Sequence, residues 1–425
     1  MSKPRKQTLE AGSGVTRRDA ISGAALLGIG VGIDHVLSGP LGLAADTTSL
    51  ASAGDSAVPF HGAHQAGIAT PAQSYMCFTA FDLTDASLTD LRSLLQRWTR
   101  AAALLTAGQL YQTVSQQPDE NPEDTGEAIG LGPAQLTLTF GFGPGLFESR
   151  MGSALRRRRP AELAELPPFG GERLDPARSG GDLCVQACAN DAQVAFHAAH
   201  VLSRVAAGTA LPRWSQLGFG RASLPRAQST PRNLIGFKDG TDNIRAQDAE
   251  AMRRFVWVKA GDGPSWMVGG TYMVVRRIRI LFDVWDATSL EGQERVIGRY
   301  KLSGAPLGER GEHDPVDLAS GSPDAPTIPA NAHIRLASPR YNGGQRILRR
   351  GYSYSQGTEV ATGEIDAGLF FVAFERSLRR QFIPLQSRLA ASDALNVHTV
   401  HTASAVFACP PGVGAGGFIG EGLFA

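Results

Sequence analysis

The stretch Gly236-Phe237-Lys238-Asp239-Gly240-Thr241-Asp242-Asn243 sets a carboxylate between two glycines, with no apolar periodicity around it that would bury it. Glycine tolerates positive φ and close backbone approach, so such a loop can press Asp239 against a flat ligand. As a bare motif it also reads as an Asp-Gly turn followed by an Asx cap at Asp242 or Asn243. Downstream, Asn331-Ala332-His333-Ile334-Arg335 supplies an imidazole, and Arg346-Ile347-Leu348-Arg349-Arg350-Gly351-Tyr352-Ser353-Tyr354 supplies guanidinium groups ahead of a Gly-Tyr turn. A lone histidine is more often a hydrogen-bonded core or surface residue than a metal ligand. In company with an acid and a cation, it completes the parts needed to hold an iron on one face, move a proton on the other and stabilise a departing oxygen.

These groups need a scaffold, and the strand and helix signals around them recur in a fixed order. Residues 74–81 read as a strand, and residues 88–107 carry Leu91, Leu94, Leu95, Trp98, Ala102 and Leu105 at helical spacing. Residues 182–189 and 191–206 form a second strand and helix. Beyond Gly236, residues 271–280 alternate as a strand and 289–300 read as a polar helix, followed by a strand at 368–374 and a helix at 375–389. Each half holds an irregular insertion between its pairs, with a further strand at 135–142 in the first. This order predicts an α+β fold, a tandem of duplicated ferredoxin-like domains with antiparallel sheets and peripheral helices in a barrel-like arrangement. A parallel α/β fold is the competitor, and the long non-helical insertions count against it. Gly- and Pro-rich residues 167–181 and 303–329 read as loops rimming a pocket.

Composition narrows the function classes. The chain has 425 residues, 42% of them hydrophobic, and a formal net charge of +1, which gives no electrostatic case for nucleic acid. Only five of its 41 basic residues are Lys, a bias towards rigid carboxylate recognition by Arg. No apolar run is long enough to span a bilayer. Cys184 and Cys188 followed by His197 and His200 invite a zinc reading, but the spacings are shorter than the finger pattern and straddle a strand and a helix. A Cys184–Cys188 disulfide is disfavoured because the two Cα atoms lie too far apart in a regular strand. No Cys-x-x-Cys-His occurs, which excludes covalent c-type haem.

At the N-terminus, Thr16-Arg17-Arg18-Asp19-Ala20-Ile21 precedes a small-residue apolar stretch that extends weakly towards Leu43-Ala44-Ala45. It resembles a twin-arginine signal with cleavage near Ala44, so export to an extracellular, periplasmic or cell-surface location is expected. The expected organisation is a signal at 1–44, a leader at 45–70, an N-terminal ferredoxin-like domain at 71–230 and a C-terminal ferredoxin-like domain at 231–425.

The Asp239, His333 and Arg349 motifs together resemble the dye-decolorizing peroxidase family. The resemblance extends through Gly181-Asp182-Leu183-Cys184-Val185-Gln186-Ala187-Cys188-Ala189, through Ile297-Gly298-Arg299-Tyr300-Lys301 with Gly304-Ala305-Pro306-Leu307, and to the ending Phe407-Ala408-Cys409-Pro410-Pro411-Gly412. The twin-arginine-like signal points to the exported subgroup, associated with iron-uptake systems and deferrochelatase. The resemblance implies non-covalent haem b held by the second domain, with His333 as proximal iron ligand. It makes Asp366 the carboxylate partner of that imidazole, although a strand-start turn residue reads equally well. Asp239 and Arg349 become the distal acid and cation. Arg350 is the alternative distal arginine or a propionate partner, and Arg335 faces a propionate or forms a structural ion pair. Some relatives carry an Asn two positions after the distal arginine, where this chain has Gly351. The implied activity is reduction of hydrogen peroxide through a ferryl porphyrin radical, restored by two one-electron steps from bulky organic reductants such as dyes and phenolics. A carboxylate ionises near pH 4, so a distal acid stays a competent base where an imidazole would be protonated, and an acidic optimum is expected. The alternative is release of iron from haem alongside components of an iron-uptake system. The physiological reductant and the oligomeric state are not written in the motifs.

Overall fold

The first half builds β1 (Tyr75–Leu83), the helix Leu88–Thr106, β2 (Thr137–Phe142), β3 (Leu183–Ala189), the helix Ala192–Ala206 and β4 (Ala210–Phe219). The structure is a computed structural model that describes residues 56–112, 119, 124–148, 153–220, 230–360 and 362–425. The signal segment and residues 45–55 of the leader therefore lie outside the described residues. Helix Leu88–Thr106 starts at a capping box, in which Ser87 Oγ accepts from Asp90 N and the Asp90 carboxylate accepts from Ser87 N at 2.9 Å. Its apolar stripe is buried as its spacing predicts, and Trp98 Nε1 donates to Leu202 O of the second helix at 2.8 Å.

The second half repeats the plan with β5 (Thr271–Ile280), a small hairpin of β6 (Gly321–Ser322) and β7 (Ala325–Pro326), a short β8 (Leu348–Arg349), then β9 (Tyr352–Thr358), β10 (Ile365–Glu375) and β11 (Thr399–Cys409). Neighbour order is β2-β3-β1-β4 in the first half and β9-β10-β5-β11 in the second, the same ferredoxin-like order twice. β11 meets β2 and β4 meets β9, so eight antiparallel strands close into one barrel. This excludes the parallel alternative. Met76, Phe78, Cys184, Trp214, Met273, Phe370 and Phe407 fill the interior. All four cysteines are free and buried, and burial pushes the Cys184 and Cys188 thiols up.

Three of the barrel strands escaped the sequence reading, as did the short β6, β7 and β8. β4 exposes Leu211 and Leu217, and β9 reads locally as a Gly-Tyr turn. β11 carries a bulge between His401 and Ala403 that interrupts its alternation. The helix expected at 375–389 begins instead as a π-helical turn, Leu378–Phe382, before the α-helix Ile383–Ser392. Pro384, without an N–H, lies at that junction. The polar helix stops at Ile297 because Gly298 takes the left-handed cap at φ 91°.

The zinc reading finds no support, since among the described residues no His, Cys, Asp and Glu group could hold a metal ion. His197 and His200 instead approach the Glu127 carboxylate at 2.8 and 2.6 Å. Nor is any described helix long and apolar enough to cross a membrane.

Candidate active site

Strand parity decides which side chains can reach a ligand. Along β5 and β10, Met273, Val275, Phe370, Val372 and Phe374 point into the barrel. Ile278, Ile280, Leu369 and Phe371 line a cavity of about 300 Å³ on the outer face. Two helices pack on the corresponding face of the first half. Here the helix Ile383–Ser392 faces the sheet across the cavity through Leu385 and Leu389, and the Asp239 loop adds Ile235 and Phe237. Asp239, Arg299, His333, Arg346, Arg349 and Asp393 are among the polar groups set in these largely apolar walls.

The Asp239 loop uses the backbone freedom its glycines offer, with φ of 86° at Gly236 and 122° at Gly240. A Cβ at Gly236 would also lie 2.7 Å from Lys301 Cε. Asp239 N donates to Pro231 O at 2.8 Å, and the neighbouring Lys238 pairs with Glu312. Arg349 Nη1 donates to Asp239 Oδ1 at 2.8 Å. Asn243, read from sequence only as a possible cap, clamps that arginine. Its Nδ2 donates to Arg349 O at 2.7 Å and its Oδ1 accepts from Arg349 N at 2.9 Å. Acid and arginine are therefore held as one unit by a single loop.

His333 opens the short helix His333–Ala337. Its Nδ1 lies 2.6 Å from Asp393 Oδ2, and Asp393 Oδ1 accepts from Leu395 N at 2.9 Å. A carboxylate only accepts, so Nδ1 carries the proton and Nε2 keeps its lone pair for a ligand. Burial pulls the His333 pKa down, the Asp393 charge beside it pulls it up, and the net direction is up.

The expected partner, Asp366, is thereby corrected. It shares the inward parity of Phe370, accepts from Arg277 Nη2 at 2.7 and 2.6 Å, and sits near Tyr354, whose ring faces the barrel interior. Arg350 also turns away from the cavity. Its guanidinium reaches Thr70 O, Pro71 O and Gln73 Oε1, which separates it from Arg349 despite their adjacency. Arg335 lies outside the cavity lining and has no ion pair among the described residues; it holds Ile328 O, Leu318 O and the Tyr341 hydroxyl. Arg276, Arg299 and Arg346 are the cavity's other arginines, and the sequence reading gave none of them a role at this wall.

The donor set suits a haem. An imidazole with one nitrogen committed to a carboxylate and the other free would hold the haem iron through the free nitrogen, with the carboxylate fixing the ring's orientation. Apolar walls match a porphyrin face, and arginines match its carboxylates.

Comparison with known proteins agrees. The family model "Dyp-type peroxidase, N-terminal" matches residues 65–220 and "Dyp-type peroxidase, C-terminal" matches residues 230–414. A relative named deferrochelatase from Escherichia coli O6:K15:H31 is 38% identical over 372 residues, 86% of either chain. Ferric DtpA from Streptomyces lividans superposes with a TM-score of 0.80 at 40% identity, covering 89% of this chain and 100% of that one. A DyP-type peroxidase from Cellulomonas bogoriensis does so with a TM-score of 0.78 at 42% identity, covering 87% and 98%. The chain belongs to the Dyp-type peroxidase family and is accordingly a haem-dependent oxidoreductase.

Proposed function

We propose that the chain reduces hydrogen peroxide at a haem b bound in this cavity and oxidises bulky organic reductants such as dyes and phenolics, best at acidic pH. The observation that carries this reading is the Asp239–Arg349 contact of 2.8 Å in the cavity that also holds the Asp393-paired His333. Haem supplies the iron at which the peroxide O–O bond is cleaved. His333 Nε2 would hold it, and Asp393 keeps that ring oriented and electron-rich. Asp239 accepts a proton from one peroxide oxygen and returns it to the other, while Arg349 stabilises the negative charge that grows on the departing oxygen. The apolar walls keep bulk water from screening these charges.

The test is rapid-mixing absorption spectroscopy with one equivalent of peroxide, paired with the pH-rate profile of dye oxidation. Asp239→Ala and Arg349→Leu should keep haem and lose about 10²-fold or more in peroxide reactivity. A profile peaking above neutrality would remove the case for a carboxylate base.

A second reading is iron release from haem, and the name deferrochelatase borne by relatives 38% identical to this chain favours it. Metal-free porphyrin accumulating from supplied haem would support that reading, and peroxide-dependent turnover of a dye would support the first. Arg17-Arg18 with the apolar stretch behind them supports export by the twin-arginine route. Cell fractionation of an Arg17→Lys/Arg18→Lys variant, retained inside the cell, would bear this out. Components of an iron-uptake system are the partners that an exported iron-release role would require.

A further inference from the structure

A second cavity of about 300 Å³ adjoins the first, and Gln345 and Gln381 line both. Gln381 is a held partition. Its amide donates to Phe255 O at 2.8 Å and to Arg346 O, and its carbonyl accepts from Ser377 N at 2.9 Å. A ligand in the second cavity is therefore separated from the first by these two glutamines, without entering it.

The charge in this second cavity is unbalanced. Arg254, Arg376 and Arg380 line it against Glu162 and Asp262. Both acids are already engaged. Asp262 takes two bonds from Arg376, at 2.6 and 2.7 Å, and one from Lys259 N at 2.7 Å. Glu162 accepts from Ser377 Oγ at 2.9 Å and from Arg379 N at 3.1 Å. Arg254 and Arg380 have no ion pair among the described residues, and both are exposed. Arg254 is steadied over the Phe255 ring at 5.0 Å. With Asp262 paired to Arg376, two guanidinium groups remain against the single Glu162 carboxylate, whose donors are neutral; this net positive polar cleft favours an anion, and guanidinium geometry favours a planar or tetrahedral oxyanion.

We propose that this cleft binds the carboxylate or sulfonate of an aromatic reductant, which gives its electrons to the haem cavity across Gln345 and Gln381. The proposal rests on the peroxidase reading. Two donor molecules each lose one electron, and these two electrons with two protons convert one hydrogen peroxide to two waters. The donor is left as a one-electron-oxidised radical.

The test compares haem-loaded full-length protein with an Arg254→Gln/Arg380→Gln variant. A sulfonated aromatic donor and a neutral phenol serve as paired substrates, and calorimetric titration with the sulfonated donor measures binding without turnover. In the variant, KM and Kd for the sulfonated donor should rise about tenfold. The phenol's KM and the rate of reaction with peroxide should stay unchanged. Added salt should raise the wild-type KM for the anionic donor and leave the variant's nearly flat. An unchanged Kd for the sulfonated donor, or equal losses for both donors, would overturn the cleft. Failure of wild-type protein to oxidise either donor, with sulfonate binding intact and dependent on the two arginines, would overturn the peroxidase reading and the electron-transfer step while sparing the anion site.

Discussion

Asp239 is useful only if Arg349 is where Asp239 needs it, and a side chain outside the acid–arginine pair sees to that. Asn243 makes two hydrogen bonds to the Arg349 backbone. Asn243→Ala removes both, so the guanidinium is expected to lose its register against Asp239. Since a displacement of about 1 Å can cost about 10²-fold in rate, the peroxide step should slow by up to that factor. Haem content and the Soret band should not change, which rapid mixing and absorption spectra can check together. Asp393 acts on the other side through His333. Asp393→Asn keeps an acceptor and removes the charge, so the imidazole donates less electron density. The iron reduction potential should move up, and haem affinity or activity should fall about 10–100-fold; potentiometric titration reads the first and haem transfer to an acceptor protein reads the second. Asp239, His333 and Arg349 were singled out by their company and by the family resemblance, because each local pattern alone reads as an Asp-Gly turn, an ordinary histidine or one of two adjacent arginines. Asp393 was not legible. It lies 60 residues from His333, and nothing in Ser392-Asp393-Ala394 distinguishes it from an ordinary cap. Choosing Asp366 failed for want of the strand's parity, which a run as uniformly apolar as Gly368-Leu369-Phe370-Phe371 does not reveal.

At the scale of elements, the two long helices of the first half were legible because their signals are local, a capping box and a 3.6-residue stripe for the first and an Asp191 cap for the second. β9 and β11 were not, since a strand that pairs with distant strands on both sides carries little pattern of its own. The second helix also anchors a loop. Glu127 accepts from His200 Nδ1 at 2.6 Å and approaches His197 Nδ1 at 2.8 Å, while Asp124 takes Tyr111 N and Gly126 N. Burial pushes the Glu127 carboxyl up, but hydrogen bonds from Thr125, His197 and His200 outweigh it and bring the pKa down to about 2. A carboxyl whose folded pKa is depressed stabilises the fold above its unfolded value, and that stabilisation fades as pH falls towards 2. Glu127→Gln should therefore lower stability at pH 7 by no more than about 3 kcal/mol, less whatever solvent screens at this partly exposed site. The difference from wild type should shrink below pH 4.5 and vanish near pH 2, which urea unfolding across that range would show. A gap that stayed constant with pH would mean that Glu127 matters for packing and not for charge.

The whole molecule is one barrel made by two halves, the barrel-like tandem that the sequence reading expected. Duplication was legible because strand–helix order repeats along the chain. The joint was not, because it depends on edges that look alike in sequence: β2 against β11 and β4 against β9, each through one aligned residue pair, Phe142 with Ala408 and Phe219 with Ser353. Closure hides apolar surface that neither sheet could cover alone. Phe78 packs between Trp214 of its own half and Phe370 and Phe407 of the other, with ring centroids 5.1 to 5.9 Å apart. An isolated half would expose that interior and leave two strand edges open, a template for aggregation. Residues 56–229 produced alone should therefore be aggregation-prone or expanded in size-exclusion chromatography, and residues 230–425 alone should bind haem weakly even though they contain His333, Asp239 and Arg349. Co-expression of the two pieces should restore a monodisperse complex and the haem spectrum together. If residues 230–425 bound haem as tightly as the full chain does, the barrel would be a convenience of packing, and the cavity would owe its shape to the second half alone. The geometry argues otherwise, since β5 and β10, whose outer faces form the cavity floor, have their inner faces packed against Phe78 and Trp214 of the first half.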